Sequence, residues 1–161
     1  MDVAMDTVSQ TSDSPTPAQY ASLEPDPGFR CSDDFLQHLR ENNKRFRRER
    51  FAEGDMFTVE QAASMIGQTA EQVLELVHSG RALGLVNEQG ELRLPFWQFY
   101  DSLWPHLPTI KADCVSASEP WGLLNYLESP SRGLREKTPR IALEQGHLDD
   151  VLRDARWGPT F

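Results

Sequence analysis

"FTVEQAASMIGQTAEQVLELVHSGRALGLVNEQGELRLP", residues 57–95, decides how the rest of the chain is read. Thr58 stands three residues before Gln61, the spacing of a capping box, and Ala62, Met65 and Ile66 supply apolar contacts before Gly67 ends a helix of about nine residues. Thr69 opens a second helix with Val73, Leu76 and Val77 on one face, and Gly80 closes it where a left-handed residue is needed. Two short helices on a tight turn predict a helix-turn-helix. Beyond it, "ALGLVNEQGELRLP" alternates apolar and polar residues on both sides of Asn87 to Gly90, which predicts a hairpin placed as a wing.

The second helix tests whether such a module reads DNA. Its solvent-facing positions are Glu71, Gln72, Glu75, His78 and Ser79, whereas base and phosphate contacts call for Arg, Lys, Asn or Gln. Only Arg81 and Arg93 offer local cations. Upstream, "CSDDFLQHLRENNKRFRRERF" predicts a basic amphipathic helix over residues 32–52, with Ser32 as cap and Asp33 and Asp34 in its first turn. Phe35, Leu39 and Phe46 share one face, expected to pack, while Arg40, Lys44, Arg47 and Arg48 lie opposite. The basic face is either solvated or a contact for phosphate or an acidic partner. The candidate nucleic-acid-binding residues are therefore Arg40, Lys44, Arg47, Arg48, Arg81 and Arg93.

Composition narrows the classes. The chain of 161 residues carries a net charge of −9, which argues against non-specific coating of nucleic acid. Residues 1–29 hold Asp2, Asp6, Asp13, Glu24 and Asp26 among prolines, serines and threonines, and read as a disordered acidic arm. Neither a signal peptide nor a run of ~18 apolar residues is present, so no membrane role is expected. Cys31 and Cys114 are far apart and lack metal-ligand spacing, so a reducing cytoplasm and no metal site are expected.

"PFWQFYDSLWPHLP" puts five aromatic residues, Phe96, Trp97, Phe99, Tyr100 and Trp104, into nine positions. Pro95 and Pro105 bound a predicted aromatic helix whose rings join the two halves of the protein, and residues 108–119 read as a linker or short irregular connection. Pro120 then opens a helix in which Trp121, Leu124 and Leu127 recur at i, i+3 and i+6, ended by Pro130. Thr138-Pro139 caps another that Gly146 ends, and Leu148, Val151, Leu152 and Ala155 mark a last one. Helices this short must bury their faces on one another or on a partner.

In order and spacing, "WGLLNYLESPSRGLREKTPRIALEQGHLDDVL" closely resembles the toxin-binding domain of Xre/MbcA/ParS-type antitoxins, through Trp121, Leu127 to Pro130, Leu134, Thr138-Pro139, Leu143, Gly146 and Val151-Leu152. "SGRALGLVNEQGELRLPFWQF" is similar to the helix-turn-helix, hairpin and Pro-x-Trp-Gln segment of one branch of that family. The resemblance implies an antitoxin: a homodimer with a cognate protein toxin as partner, often a RES-domain enzyme that consumes NAD or transfers ADP-ribose, and possible binding to operator DNA. It implies that Trp121, Leu124, Leu134, Thr138, Pro139 and Leu143 shape the toxin-binding domain, and that the C-terminal "RDARWGPTF" reaches the toxin cleft. Trp157 and Phe161 are the better candidates for direct contact, because an apolar tail has little intrinsic reason to stay exposed; docking of the tail within the monomer is the alternative. Glu71 and Glu75 depart from the basic recognition helix common in that branch.

An enzyme is not expected. His38, His78, His106 and His147 show no ligand spacing, no phosphate-binding glycine loop is present, and Glu119, Glu128, Glu136 and Glu144 are read as exposed helix residues. No catalytic residue, metal or small-molecule cofactor is assigned. The expected fold is mainly α: a small helix-turn-helix with a β-hairpin wing, followed by a compact helical C-terminal domain. Its divisions are an arm (1–29), a basic helix (32–52), the helix-turn-helix-like module with hairpin and aromatic helix (56–107), the toxin-binding domain (118–157) and a tail (158–161). The alternatives are a DNA-binding transcriptional regulator and a repurposed adaptor for another macromolecule.

Overall fold

The computed structural model describes residues 32–114 and 119–158. The expected arm, the 115–118 connection and the last three residues, Phe161 among them, lie outside the described residues. The protein is mainly helical with a small three-stranded antiparallel sheet: α1 (Asp33–Phe51), β1 (Met56–Phe57), α2 (Val59–Ile66), α3 (Ala70–His78), β2 (Leu85–Val86), β3 (Leu92–Pro95), α4 (Leu107–Asp113), α5 (Pro120–Glu128), α6 (Pro139–Glu144) and α7 (Leu148–Trp157). Among the described residues no helix is long and apolar enough to cross a membrane.

The chain divides into two units, one ending at Arg40 and one beginning at Glu41. The described part of the first is the start of α1, where Ser32 Oγ accepts from Phe35 N at 3.3 Å, and where Phe35, Leu36 and Leu39 are all exposed. In the second unit Phe46, on the same side of the helix, is 45% exposed. The expected packing face of α1 is thus open, and the part of the helix that is buried is its last turn, Arg50 and Phe51.

In the second unit the helix starts follow from local chemistry. Thr58 and Thr69 each accept from the backbone N–H three residues on, while Gln61 and Gln72 reach back to the two cap amides, so both boxes are reciprocal. Gly67 (φ 68°) ends α2 in the left-handed region, as expected. Ala62, Ala63 and Val73 are buried between the helices, whereas Met65, expected to pack, is 44% exposed.

β2 pairs with β3 (Leu85 opposite Arg93, Val86 opposite Leu92), as the alternation predicted. The third strand was not foreseen: β1 is only two residues long, too short to show a period, and lies on the other edge of β3 with Phe57 opposite Leu94. Beyond β3 the expected aromatic helix is replaced by a 3-10 turn (Phe96–Phe99), a bend, and a second 3-10 turn (Trp104–His106). Pro105 does not end a helix. Both Pro105 and Pro108 occupy first turns, where the missing N–H would have no helical partner, and α4 runs through what was expected to be linker. Leu107 and Ile110 bury that helix, and Asp113 at its end accepts from Arg156 Nε on α7 at 3.0 Å.

Two apolar clusters result. The smaller gathers Ala62, Ala63, Val73, Ala82, Leu94 and Phe99. The larger runs from Met56, Leu85 and Trp97 through Leu107 and Ile110 to Leu124, Leu127, Leu143 and Val151, so residues of both expected modules share it. The 94–99 segment sends Trp97 into one cluster and Leu94 and Phe99 into the other. The aromatic residues therefore join the two halves, as expected, without forming a helix. Gln98 is fully buried here: its Nε2 donates to Leu83 O (2.9 Å) and Pro95 O (3.1 Å), and its Oε1 accepts from Leu83 N (2.6 Å).

Candidate functional site

The C-terminal helices α5 to α7 form a scaffold around a buried polar knot. Ser131 Oγ donates to Asp154 Oδ1 at 2.6 Å, and Tyr126 Oη lies 3.1 Å from both Asp154 Oδ2 and Val151 O, sharing its one proton between them. Burial, then the Asp154 carboxylate, pushes the Tyr126 hydroxyl well above the ordinary tyrosine range, so it remains a donor. A Cβ at Gly133 would collide with Asp154 Oδ1, so the absence of a side chain there admits the knot. Thr138 caps α6 by accepting from Ile141 N at 3.2 Å, and Leu134 is buried beneath the loop.

This scaffold sorts the expected partner-binding residues. Leu124, Leu134, Pro139 and Leu143 are buried and Thr138 is occupied as a cap, so they hold the scaffold and offer no contact surface. Trp157 is the opposite case: it ends α7 and is 86% exposed. Ile141 on α6 is a second exposed apolar side chain, at 42%. It had not been singled out, because the sequence places it inside an apolar run with Ala142 and Leu143.

Trp121 has a different setting. Its Nε1 donates to Val86 O at 3.3 Å, and the Arg47 guanidinium lies over its ring, 5.4 Å from the centroid. Around this pair is a cleft of about 240 Å³ lined by Asn43, Lys44, Arg47 and Arg48 of α1, Val86, Asn87 and Glu88 of the hairpin, and Trp121 of α5. The structure thus brings together three expected nucleic-acid contacts and one expected toxin contact, which the sequence had assigned to separate sites. Lys44, Arg47 and Arg48 stand at i, i+3 and i+4, one face of a helix. The hairpin wall is shaped by Asn87, whose Oδ1 accepts from Gln89 N (3.0 Å) and Glu91 N (2.9 Å). Arg47 also meets Glu119 at 3.8 Å, an exposed pair worth at most about 1 kcal/mol.

What aims this face of α1 is Arg50, one turn beyond the cleft. Its guanidinium is buried and forks both ways: Nη1 and Nη2 to Asp55 (2.6 and 2.8 Å), Nε and Nη2 to Glu128 (2.9 and 2.6 Å). These bonds hold its proton more tightly than in free arginine, against the opposing cost of burial. Glu128, expected to be exposed, is instead a clamp from the end of α5, and neither it nor Arg50 was expected at a site. Arg93 is half-buried and also committed to α1, donating to Phe51 O at 3.3 Å with its guanidinium 4.9 Å from the Phe51 ring centroid.

The remaining expected contacts separate. Arg40 lies in the first unit and is exposed; Arg81 is exposed beyond the end of α3. Glu71, Gln72, Glu75, His78 and Ser79 are all on the outer side of α3, with Leu74 beside them, and Glu71 and Glu75 are exposed as expected. The backbone N–H at the helix start and the Thr69 hydroxyl hold the Glu71 carboxyl below its usual range, which keeps that face anionic. Among the described residues no group of His, Cys, Asp and Glu is placed to hold a metal ion. No family model, no curated protein and no solved structure matches the chain.

Proposed function

We propose that the chain is an antitoxin-like, non-enzymatic binding protein that neutralises a cognate protein toxin, as a homodimer. In this reading α2, α3 and the β2–β3 hairpin are a helix-turn-helix with a wing, and residues 118–157 are the toxin-binding domain. The reading draws on the order of Trp121, Leu127 to Pro130, Thr138-Pro139 and Gly146, which resembles that domain. The observation that carries it is Trp157: an indole left 86% exposed where the last helix ends, next to a scaffold that buries Leu124, Leu127, Leu134, Leu143 and Val151. Tryptophan is among the residue types enriched at the hot spots of protein interfaces.

The test is co-expression of the full chain with the product of the neighbouring gene, followed by affinity capture and native mass measurement. A stable complex is expected, and Trp157→Ala should weaken it at least tenfold while moving the melting temperature by no more than about 1 °C, because little of the side chain is buried. Failure to form any complex overturns the toxin reading; a complex indifferent to Trp157→Ala overturns the role of the tail. A second reading, a DNA-binding regulator, draws on the exposed Arg81 beside α3. The exposed Glu71 and Glu75 oppose it, since carboxylates on a recognition helix repel the phosphate backbone.

A further inference from the structure

Apart from Trp121, the cleft between α1, the hairpin loop and that ring is left unused by the toxin reading. One wall carries three cations, Lys44, Arg47 and Arg48, against a single lining carboxylate, Glu88, in a chain whose net charge is −9. Cations at i, i+3 and i+4 lie ~5–6 Å apart at Cβ, close enough for two of them to share one anionic group. Beside them Val86 is 52% exposed and Trp121 half-buried, so an apolar surface adjoins the charge.

Three features select the occupant. The volume of about 240 Å³ is below the ~300–1,000 Å³ of pockets that bury a drug-sized ligand, so a ligand of that size or larger would continue past the rim. A single-stranded nucleic acid would need an open ring to stack on. One face of Trp121 is already covered by the Arg47 guanidinium. A free inorganic anion would find no backbone N–H groups on the basic wall, because the amides of residues 43–48 lie inside α1 and are spent on its own hydrogen bonds.

We infer that the cleft is a docking site for an acidic linear segment of a partner protein, one carboxylate held by Lys44 and Arg48 and the neighbouring apolar side chain seated on Val86 and Trp121. Because Lys44 and Arg48 are both exposed, reversing their charge leaves the packing of α1 intact.

Fluorescence anisotropy on the full chain tests this with a fluorescein-labelled Glu-Leu-Glu-Phe-Glu peptide, the same peptide with Gln for each Glu, and fluorescein-labelled oligothymidylate. Saturable binding of the acidic peptide is expected, weakened by added salt. The Lys44→Glu/Arg48→Glu double variant should weaken it at least tenfold and Val86→Asp severalfold, with unchanged far-UV circular dichroism and little binding of the Gln peptide. Equal binding by the charge-reversed variant overturns the site. Binding of oligothymidylate with no binding of the peptide reassigns the cleft to nucleic acid and overturns the proposal. So does a concentration-dependent dimer, abolished by Val86→Asp, in a protein that ignores the peptide.

Discussion

Arg50 is the residue on which the geometry of the second unit most depends. It is 6% exposed and makes four short hydrogen bonds to two carboxylates, one of them 78 residues away. Removing one partner of a buried ion cluster costs about 3–5 kcal/mol, because the others are left desolvated. Asp55 and Glu128 keep 24% and 22% of their side-chain surface in water, so Arg50→Met is expected to cost somewhat less, about 2–3 kcal/mol. Urea unfolding measures it, and Arg50→Lys, which keeps the charge but loses the fork, should fall between. Nothing local marks Arg50 off from Arg47 and Arg48: all three sit in one basic run. The difference is made by Glu128, which looks from the sequence like any carboxylate at a helix end. A residue whose role is set by a partner this distant in sequence is not legible without the fold.

At the scale of elements, the reverse holds. The Thr58–Gln61 and Thr69–Gln72 boxes, the left-handed Gly67 and the Thr138-Pro139 start were legible because every group involved lies within four residues. The prolines at 105 and 108 were not, because a proline after an apolar stretch suits a helix end and a helix start equally well, and only the burial of Leu107 and Ile110 decides. The α3 start also has a pH signature. The Glu71 carboxyl is held below the usual ~4.3 of an unfolded chain, so its contribution to stability is present above that value and is lost as pH falls through the folded one. Thr69→Val removes the hydroxyl but not the amides. An NMR titration of Glu71 is therefore expected to move part of the way back toward ~4.3; an unmoved midpoint would show that the hydroxyl has no part in the shift. The candidate cleft was half-legible in the same sense: its basic wall lies on one helix and could be read from spacing, while its meeting with Trp121, more than 70 residues further along the chain, could not.

For the whole molecule, the deciding question is whether two apolar clusters make two folding units. Trp97 is 1% exposed in the larger, Leu94 and Phe99 are buried in the smaller, and only a few residues of chain separate them. The clusters should unfold together. Trp97→Ala is expected to cost about 3–5 kcal/mol and to lower a single transition, with calorimetric and van't Hoff enthalpies in agreement. Two resolved transitions, with only one lowered by the substitution, would mean that the 94–99 segment does not couple the halves. The sequence suggested a boundary near residues 108–119 because that stretch lacks a clean period; α4 occupies its first part, to Asp113, and residues of both expected modules share the larger cluster.

The glutamine at 98 bears on how such a chain can be cut. β2 is two residues long, and the rung that closes the open end of its hairpin is a side-chain amide from three residues beyond β3, which meets both the N–H and the C=O of Leu83. The pairing information for residues 85–95 is therefore stored partly outside them. Lifted out as a peptide or grafted into another scaffold, that hairpin would lack its clasp. It is a dependent of the aromatic segment that comes after it, and any transplant of this module has to carry both.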